Sequence, residues 1–196
     1  MNRRSFLKGL LFFSSIFTLK LKASRKNNVS FNYGVASGDP TNTNIILWTK
    51  VTPTFNKDVT IKWQLSADKN FKNILNSGHV SAKYLNDFTV KVDVNVPNPF
   101  RGNKVFYRFL FNDTFSDTGI TNTLPKNDPA KYNIAFCSCS NHPAGYFNAY
   151  REMAKNEDID LVLHLGDYIY EYDKDGYATE DSKRFNRVVD PKHEIV

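Results

Sequence analysis

The sequence predicts two successive fold classes, a β-sandwich over residues 29–124 and the start of an α/β domain over residues 130–196. Up to Phe111, short segments rich in β-branched and aromatic residues recur at spacings of roughly 8 to 15 residues, which is typical of a sandwich. Residues 124–129 contain two prolines and no apolar periodicity, as expected of a linker. Beyond them the apolar pattern changes to strand, helix and strand, which predicts a βαβ unit.

Residues 1–28 have the layout of a signal peptide. Arg3-Arg4-Ser5-Phe6-Leu7-Lys8 precedes an apolar run over residues 9–19. A helix of about 11 residues rises only about 16 Å, against a hydrocarbon core of about 30 Å, so we expect no stable membrane span. The paired arginines and the residues after them are similar to the bacterial twin-arginine signal, which predicts transport by the twin-arginine export machinery to the periplasm or out of the cell. A general secretory signal and a basic amphipathic start are the alternatives.

The distribution of charge argues against a nucleic-acid-binding face. The formal net charge is +6, from 26 basic and 20 acidic residues. Seven of the basic residues lie within residues 1–28, and the first acidic residue is Asp39. The rest of the chain therefore carries 19 basic against 20 acidic residues, a net charge of −1. We expect no basic patch of the kind that binds nucleic acid.

Five strands are predicted in the first domain. They cover residues 31–36, 45–50, 59–65, 88–96 and 105–111, with turn signals at 37–40, 76–78 and 97–103. Residues 89–96 alternate strictly, which predicts one buried face made by Val90, Val92, Val94 and Val96. Four aromatic residues at strand spacing are interpreted as core residues: Trp48, Trp63, Tyr107 and Phe109.

The second domain begins with strands predicted at 132–136 and 159–165 around a helix at 146–155. Nearly continuous apolar strands are typical of a parallel sheet that is buried on both faces. A right-handed crossover would place the two strands side by side. The loops 137–142 and 166–170 would then both leave the carboxyl edge of the sheet, where open α/β sheets bind ligands.

These two loops carry the side chains with metal-binding chemistry. Asp167 directly follows a predicted buried strand, and the Tyr170 phenol lies three residues further on. A thiolate from Cys137 or Cys139, with His142 nearby, would complete a mixed set of soft and hard ligands. Tyrosinate together with carboxylate suits ferric iron better than zinc.

Structural interpretations of the same residues remain open. Gly and Asp are ordinary turn residues, and the two cysteines could form a strained disulfide or pair between chains in an oxidising compartment. Tyr168, Tyr170 and Tyr172 could form a strand edge, and His142 could be a loop residue at the entry to the helix. His164, inside an apolar strand, is interpreted as a hydrogen-bonded core histidine.

An acidic stretch follows the second of these loops. It is interpreted as solvated, with a calcium site as the alternative, and consists of Glu171, Asp173, Asp175, Glu180 and Asp181.

Five segments together resemble the alkaline phosphatase D (PhoD-like) family. They are residues 31–40, 47–49, 136–141, 145–150 and 163–172, and they include Phe136-Cys137-Ser138-Cys139-Ser140-Asn141 and Gly166-Asp167-Tyr168-Ile169-Tyr170. The resemblance implies a sandwich of fibronectin or immunoglobulin type followed by a metallophosphatase domain. It also implies hydrolysis of phosphate monoesters and diesters with ferric iron and calcium. In the family pattern, Cys139 and Tyr170 bind iron, Asp167 bridges the metals and is the catalytic carboxylate, and the position of Cys137 is not a ligand.

Members of this family continue beyond the equivalent of Val196, through Asn, Asp and His ligands on later strands. In this sequence residues 190–195 would lead into the next helix. We therefore expect the sequence to cover only the truncated start of the metallophosphatase domain, as a shortened gene product, an incomplete sequence or one piece of a split protein.

Two functions follow from the sequence. The first is an exported, metal-dependent phosphatase or phosphodiesterase that acts on a phosphate-ester substrate. The alternative is a non-catalytic exported binding protein or vestigial fragment, in which the sandwich persists without turnover.

Overall fold

The computed structural model describes residues 29–127, 131–170, 172 and 176–188. The chain divides into two compact units, the first ending at Lys126 and the second beginning at Asn127. The predicted signal peptide, residues 1–28, lies outside the described residues, as does the apolar run on which the expectation of no membrane span rests. Within the ranges that are described, no helix is long and apolar enough to cross a membrane.

The described part of the first unit consists of ten strands and one 3-10 turn at Tyr84–Asn86. The strands are β1 (Val29–Ser30), β2 (Val35–Gly38), β3 (Asn44–Lys50), β4 (Thr52–Pro53), β5 (Val59–Ser66), β6 (Ile74–Ala82), β7 (Thr89–Asn95), β8 (Val105–Phe111), β9 (Thr114–Phe115) and β10 (Gly119–Thr121). One sheet has the order β2-β3-β7, a second has the order β10-β8-β5-β6 with β9 also on β8, and β1 pairs with β4. All of these pairings are antiparallel.

The two larger sheets contribute to one hydrophobic core. Alternate residues of β3 and β7 from the first sheet, and of β5 and β8 from the second, are buried: Ile45, Leu47, Val90, Val94, Val59, Ile61, Trp63, Leu65, Val105, Tyr107 and Phe109. Complete burial of one such side chain is worth about 1.5–3 kcal/mol. The predicted valine face of β7 is confirmed at Val90, Val94 and Val96, while Val92 is only partly buried against the same core.

The prediction that Trp48 is a core residue is wrong. In β3, burial alternates so that Ile45, Leu47 and Thr49 face the core and Trp48 lies on the other face. Because successive side chains of a strand point to opposite faces, Leu47 and Trp48 cannot both face one core. Trp63, Tyr107 and Phe109 are in the core as predicted.

The turn predicted at residues 76–78 is instead the middle of β6. This strand pairs with β5 along its length, and Gly78 lies directly opposite Trp63. A β-carbon at position 78 would be 2.8 Å from Trp63 Cζ2. Position 78 therefore requires a glycine, since the indole occupies the space that a side chain would need.

The predicted strand at 31–36 is also shifted. Residues 32 and 33 form a turn, Gly34 has a φ of +70°, and β2 begins at Val35. Ser37 and Gly38, predicted as part of a turn, pair with β3, and the chain turns at Asp39 with a φ of 50°.

The described part of the second unit contains β11 (Ile134–Cys137), α1 (Asn148–Lys155) and β12 (Leu161–His164). The predicted parallel pairing is confirmed, with Ile134 opposite Leu161 and Cys137 opposite His164. The prediction of two buried faces is wrong for these strands, because Phe136 is 68 % and Val162 is 52 % exposed. With two paired strands and one short helix, the described elements do not cover both faces of the sheet.

Candidate metal centre

The parallel pairing of β11 and β12 places two loops side by side. Backbone hydrogen bonds continue past the strand ends: the Leu165 N–H donates to Cys137 O at 2.8 Å and the Cys139 N–H to Gly166 O at 3.1 Å. The Ser140 N–H then donates to Asp167 O at 2.8 Å. The two loops therefore form one connected surface at the carboxyl edge of the sheet, where α/β proteins bind ligands.

Three side chains predicted as metal ligands converge at this edge. The Cys139 Sγ lies 3.6 Å from Asp167 Oδ2. The Tyr170 hydroxyl donates to the same carboxylate oxygen at 3.2 Å. Cys139 and Asp167 are exposed and Tyr170 is partly buried, so the cluster is accessible from solvent.

Each of the two loops contains a residue in the left-handed backbone conformation. Cys139 has a φ of 62° and Asp167 a φ of 52°, while Gly166 between the strand and Asp167 has a φ of 116°. A left-handed conformation costs a residue with a β-carbon roughly 1–2 kcal/mol. The backbone hydrogen bonds between the loops hold both residues in this conformation, as is common where strain serves a binding site.

The electrostatics of the cluster favour a cation. The neighbouring Cys139 thiol, followed by burial and the Asp167 carboxylate, raises the pKa of Tyr170 well above its usual value. In the part of the chain that the structure describes, no lysine or arginine forms an ion pair with Asp167. A cation would supply the positive charge that these three acidic groups lack.

Thiolate, carboxylate and phenolate are all metal-binding groups, so the cluster fits a metal ion in charge and donor type. The cluster has three donors, and the third is a tyrosine. Among the described residues, no three His, Cys, Asp or Glu side chains lie close enough together to hold a metal ion.

The other predicted candidates lie elsewhere. The Cys137 Sγ contacts Leu163 O at 3.7 Å, and both cysteines are free thiols. The His142 ring packs edge-on against Phe147, and its carbonyl accepts a hydrogen bond from Arg187. Burial, with a contribution from the Arg187 charge, lowers the pKa of His142.

Of the acidic stretch, Glu171, Asp173 and Asp175 lie outside the described residues. Glu180 and Asp181 are exposed, and Asp181 forms a 3.8 Å ion pair with Arg184 one turn away. These two residues have the solvated environment expected of a surface loop.

One hydrogen-bonded group beside the cluster was not predicted as a unit. The Ser140 hydroxyl contacts both the Tyr150 hydroxyl and His164 Nε2, the latter at 2.8 Å, and Tyr150 Oη lies 3.0 Å from His164 Nε2. The sequence predicted hydrogen bonds for His164 but not which residues would form them. A histidine inside an apolar strand is the signal that could have prompted a search for partners in the adjacent loop and helix.

The chain thus consists of a β-rich unit followed by a parallel β-α-β unit, and three acidic side chains at the carboxyl edge of the latter form a candidate metal site. Comparison with known proteins gives the family. The PhoD-like phosphatase N-terminal domain matches residues 18–125, and the PhoD-like phosphatase domain matches residues 134–196. The chain belongs to the PhoD-like phosphatase family.

Two similar proteins support this assignment. Alkaline phosphatase D of Bacillus subtilis (strain 168) is 36 % identical over 184 residues, which cover 88 % of this chain and 31 % of the relative. A solved structure of PhoD is also 36 % identical, with a TM-score of 0.64 over 74 % of this chain and 29 % of that one. The chain thus spans about a third of the length of these relatives.

Proposed function

We propose that this chain carries part of the active site of an exported, metal-dependent phosphoric ester hydrolase of alkaline phosphatase D type. The observation that carries the proposal is the convergence of Cys139 and Tyr170 on one oxygen of Asp167. The family relationship supports hydrolysis of phosphate esters as the reaction class. The substrates would be phosphate monoesters and diesters.

Cys139, Asp167 and Tyr170 would hold ferric iron, since a phenolate and a carboxylate suit that ion better than zinc. The carboxylate of Asp167 would also suit calcium, which prefers oxygen ligands. When bound, such a metal ion would supply Lewis-acid chemistry for attack of water on the phosphate ester.

The chain's own residues would orient these groups. The hydrogen bonds between the loops fix Cys139 and Asp167 relative to each other before any ligand binds. The exposed position of Asp167 leaves the approach open to a phosphate ester. Asp167 is the proposed catalytic residue, because its carboxylate would hold the metal ions that activate the phosphate ester.

We also propose a domain organisation and a location. Residues 1–28 would be a twin-arginine signal peptide, 29–124 a sandwich of fibronectin or immunoglobulin type, and 130–196 part of an α/β metallophosphatase domain. Location in the periplasm or outside the cell would follow from the signal. Limited proteolysis of the purified chain should then leave a stable fragment ending between residues 124 and 129, since domain boundaries lie in exposed linkers.

The experiment that tests this function measures binding of inorganic phosphate to the purified chain loaded with ferric iron. The intact chain should bind phosphate in an iron-dependent manner, and Asp167→Asn should lose this binding. Asp158→Asn is the matched control, because Asp158 is an exposed carboxylate that precedes β12, at the opposite end of that strand. Phosphate binding that needs no iron, or that survives Asp167→Asn, would contradict the proposal.

Turnover by this chain alone should remain close to background. Metal catalysis needs a fixed coordination sphere, and three donors on two loops do not complete one. A chromogenic phosphodiester with added iron and calcium measures this directly. Turnover well above background would show that a three-ligand site is sufficient, and no iron-dependent phosphate binding would favour the non-catalytic alternative.

A further inference from the structure

The hydrogen-bonded trio of Ser140, Tyr150 and His164 connects three separate elements of the second unit. Ser140 follows Cys139 in the first loop, Tyr150 lies in α1, and His164 is the last residue of β12. All three are partly buried, whereas Cys139 and Asp167 are exposed. The trio is therefore separate from the candidate metal ligands, although Ser140 directly follows Cys139 in the chain.

Each member of the trio contacts the other two. Ser140 Oγ lies 2.8 Å from His164 Nε2, Tyr150 Oη lies 3.0 Å from the same nitrogen, and the two hydroxyls contact each other. A hydroxyl can donate one hydrogen bond and accept others, so one imidazole N–H and two hydroxyls can satisfy one another. The Tyr168 and His164 rings pack nearly perpendicular to each other, with centroids 4.9 Å apart.

The trio is joined to both ligand loops through the backbone. The Gly166 N–H donates to His164 Nδ1 at 3.4 Å. The Ser140 N–H donates to Asp167 O. Ser140 is thus held from one side by Tyr150 and His164 and itself holds the backbone of Asp167.

We propose that Ser140, Tyr150 and His164 are positioning residues that lock the Cys139 loop against the Asp167 loop and so preorganise the metal ligands. The part concerning metal rests on the proposed function. The strained backbone of Cys139 and Asp167 supplies the reason for the trio, since a left-handed residue relaxes unless its surroundings hold it. Partners that orient metal ligands typically change metal affinity by about 10- to 100-fold when removed.

The first test needs no metal. Amide hydrogen exchange in the 196-residue chain, resolved by residue, reports the opening of the bonds from the amides at positions 139 and 140 to the second loop. Ser140→Ala and Tyr150→Phe should each speed exchange at these amides by about tenfold, the effect of losing one hydrogen bond. Ser140→Thr keeps the hydroxyl and should stay close to the original rate.

Two controls separate positioning from general destabilisation. Tyr146→Phe also removes a tyrosine hydroxyl, but this hydroxyl donates a hydrogen bond to Phe185 O and is not part of the trio. This variant should leave exchange at positions 139 and 140 unchanged. The Asp160 N–H bonds Asn133 O at the other end of the sheet and should keep its rate in every variant. Unchanged exchange at positions 139 and 140, or equal acceleration at Asp160, would overturn the inference.

The second test is ferric iron affinity. Ser140→Ala and Tyr150→Phe should weaken it by about 10- to 100-fold, with Ser140→Thr and Tyr146→Phe close to the original chain. If exchange accelerates but iron affinity does not change, the trio does not position metal ligands. If the original chain binds no iron, the proposed function fails, and the exchange measurement alone decides whether the trio locks the loops.

Discussion

Cys139 and Asp167 are 28 positions apart in the sequence, yet the Cys139 Sγ lies 3.6 Å from Asp167 Oδ2. The backbone bond from the Cys139 N–H to Gly166 O holds the two loops together beside this contact. Cys137, two residues earlier, pairs with His164 within the sheet, and its thiol contacts a backbone carbonyl. The two cysteines therefore have different surroundings, although the sequence places them in one short motif.

This difference predicts that iron binding depends on Cys139 and not on Cys137. Cys139→Ala should lose most of the ferric iron affinity because it removes a donor next to Asp167, while Cys137→Ala should retain it. Competition with a coloured iron chelator measures both affinities. Retained binding in Cys139→Ala together with lost binding in Cys137→Ala would place the metal on the other thiol.

The close approach of Gly78 to Trp63 predicts that one methyl group added at position 78 destabilises the first unit. A β-carbon at position 78 would lie 2.8 Å from the indole, so Gly78→Ala should lower the free energy of unfolding by about 1–3 kcal/mol. Chemical denaturation measures this change. Ser77→Ala, at the exposed neighbouring position of β6, should have little effect.

The smaller ring of Trp63→Phe provides a second check. If the clash is the cause, adding Trp63→Phe should reduce the cost of Gly78→Ala, since the two sites share one space. Equal costs in both backgrounds would mean that the indole does not limit position 78.

The hydrogen bonds to the Asp68 carboxylate predict that the stability of the first unit depends on pH. Its carboxylate accepts the N–H groups of Asn73 at 2.7 Å and Asn70 at 2.9 Å, and the Asn73 bond is the main cause of its lowered pKa. A carboxyl whose pKa is lower in the folded state stabilises above its unfolded pKa, near 3.9, and loses this effect as pH falls through the folded value.

Asp68→Asn should therefore lower the thermal midpoint at pH 7, and its difference from the original chain should shrink below about pH 4. Thermal melts across the pH range check this. Asp113→Asn, an exposed substitution in the turn between β8 and β9, is the control and should follow the original profile. A pH-independent deficit in Asp68→Asn would exclude the charge as its cause.

The proposed export route predicts dependence on the identity of Arg3 and Arg4. The double variant Arg3→Lys, Arg4→Lys keeps the charge but removes the pair that the export receptor recognises, so the protein should stay in the cytoplasm. Cell fractionation locates it. Lys20→Arg with Lys22→Arg should be exported normally, and normal export of the first variant would remove the twin-arginine assignment.

Much of the first unit could be predicted because strand alternation encodes burial directly. Val90 and Val94 show this well, since each is separated from the next valine by a polar residue. The strand β6 was not predicted, because residues 74–79 lack alternating apolar residues and contain an Asn-Ser-Gly turn signal. Its pairing with β5 is a tertiary effect that local propensity does not contain.

In the second unit, the proximity of Cys139 and Asp167 followed from one topological rule, that adjacent parallel strands end at the same sheet edge. The trio beside them did not follow from the sequence, because the contact of Tyr150 with Ser140 depends on how α1 packs on the sheet. Spacing along the chain gives no distance between a helix side chain and a loop. The positive φ values of Cys139 and Asp167 were likewise not predicted, because neither residue type requires them.

The visible absorption spectrum of the 196-residue chain during titration with ferric iron tests the central claim most directly. Thiolate and phenolate ligands give ferric iron strong visible absorption, so the original chain should develop a band that saturates at one iron per chain. Tyr170→Phe should change or lose this band, while Tyr172→Phe, which alters a tyrosine whose ring centroid is 6.2 Å away, should keep it. No band in the original chain, or an identical band in Tyr170→Phe, would contradict a metal centre at Cys139, Asp167 and Tyr170.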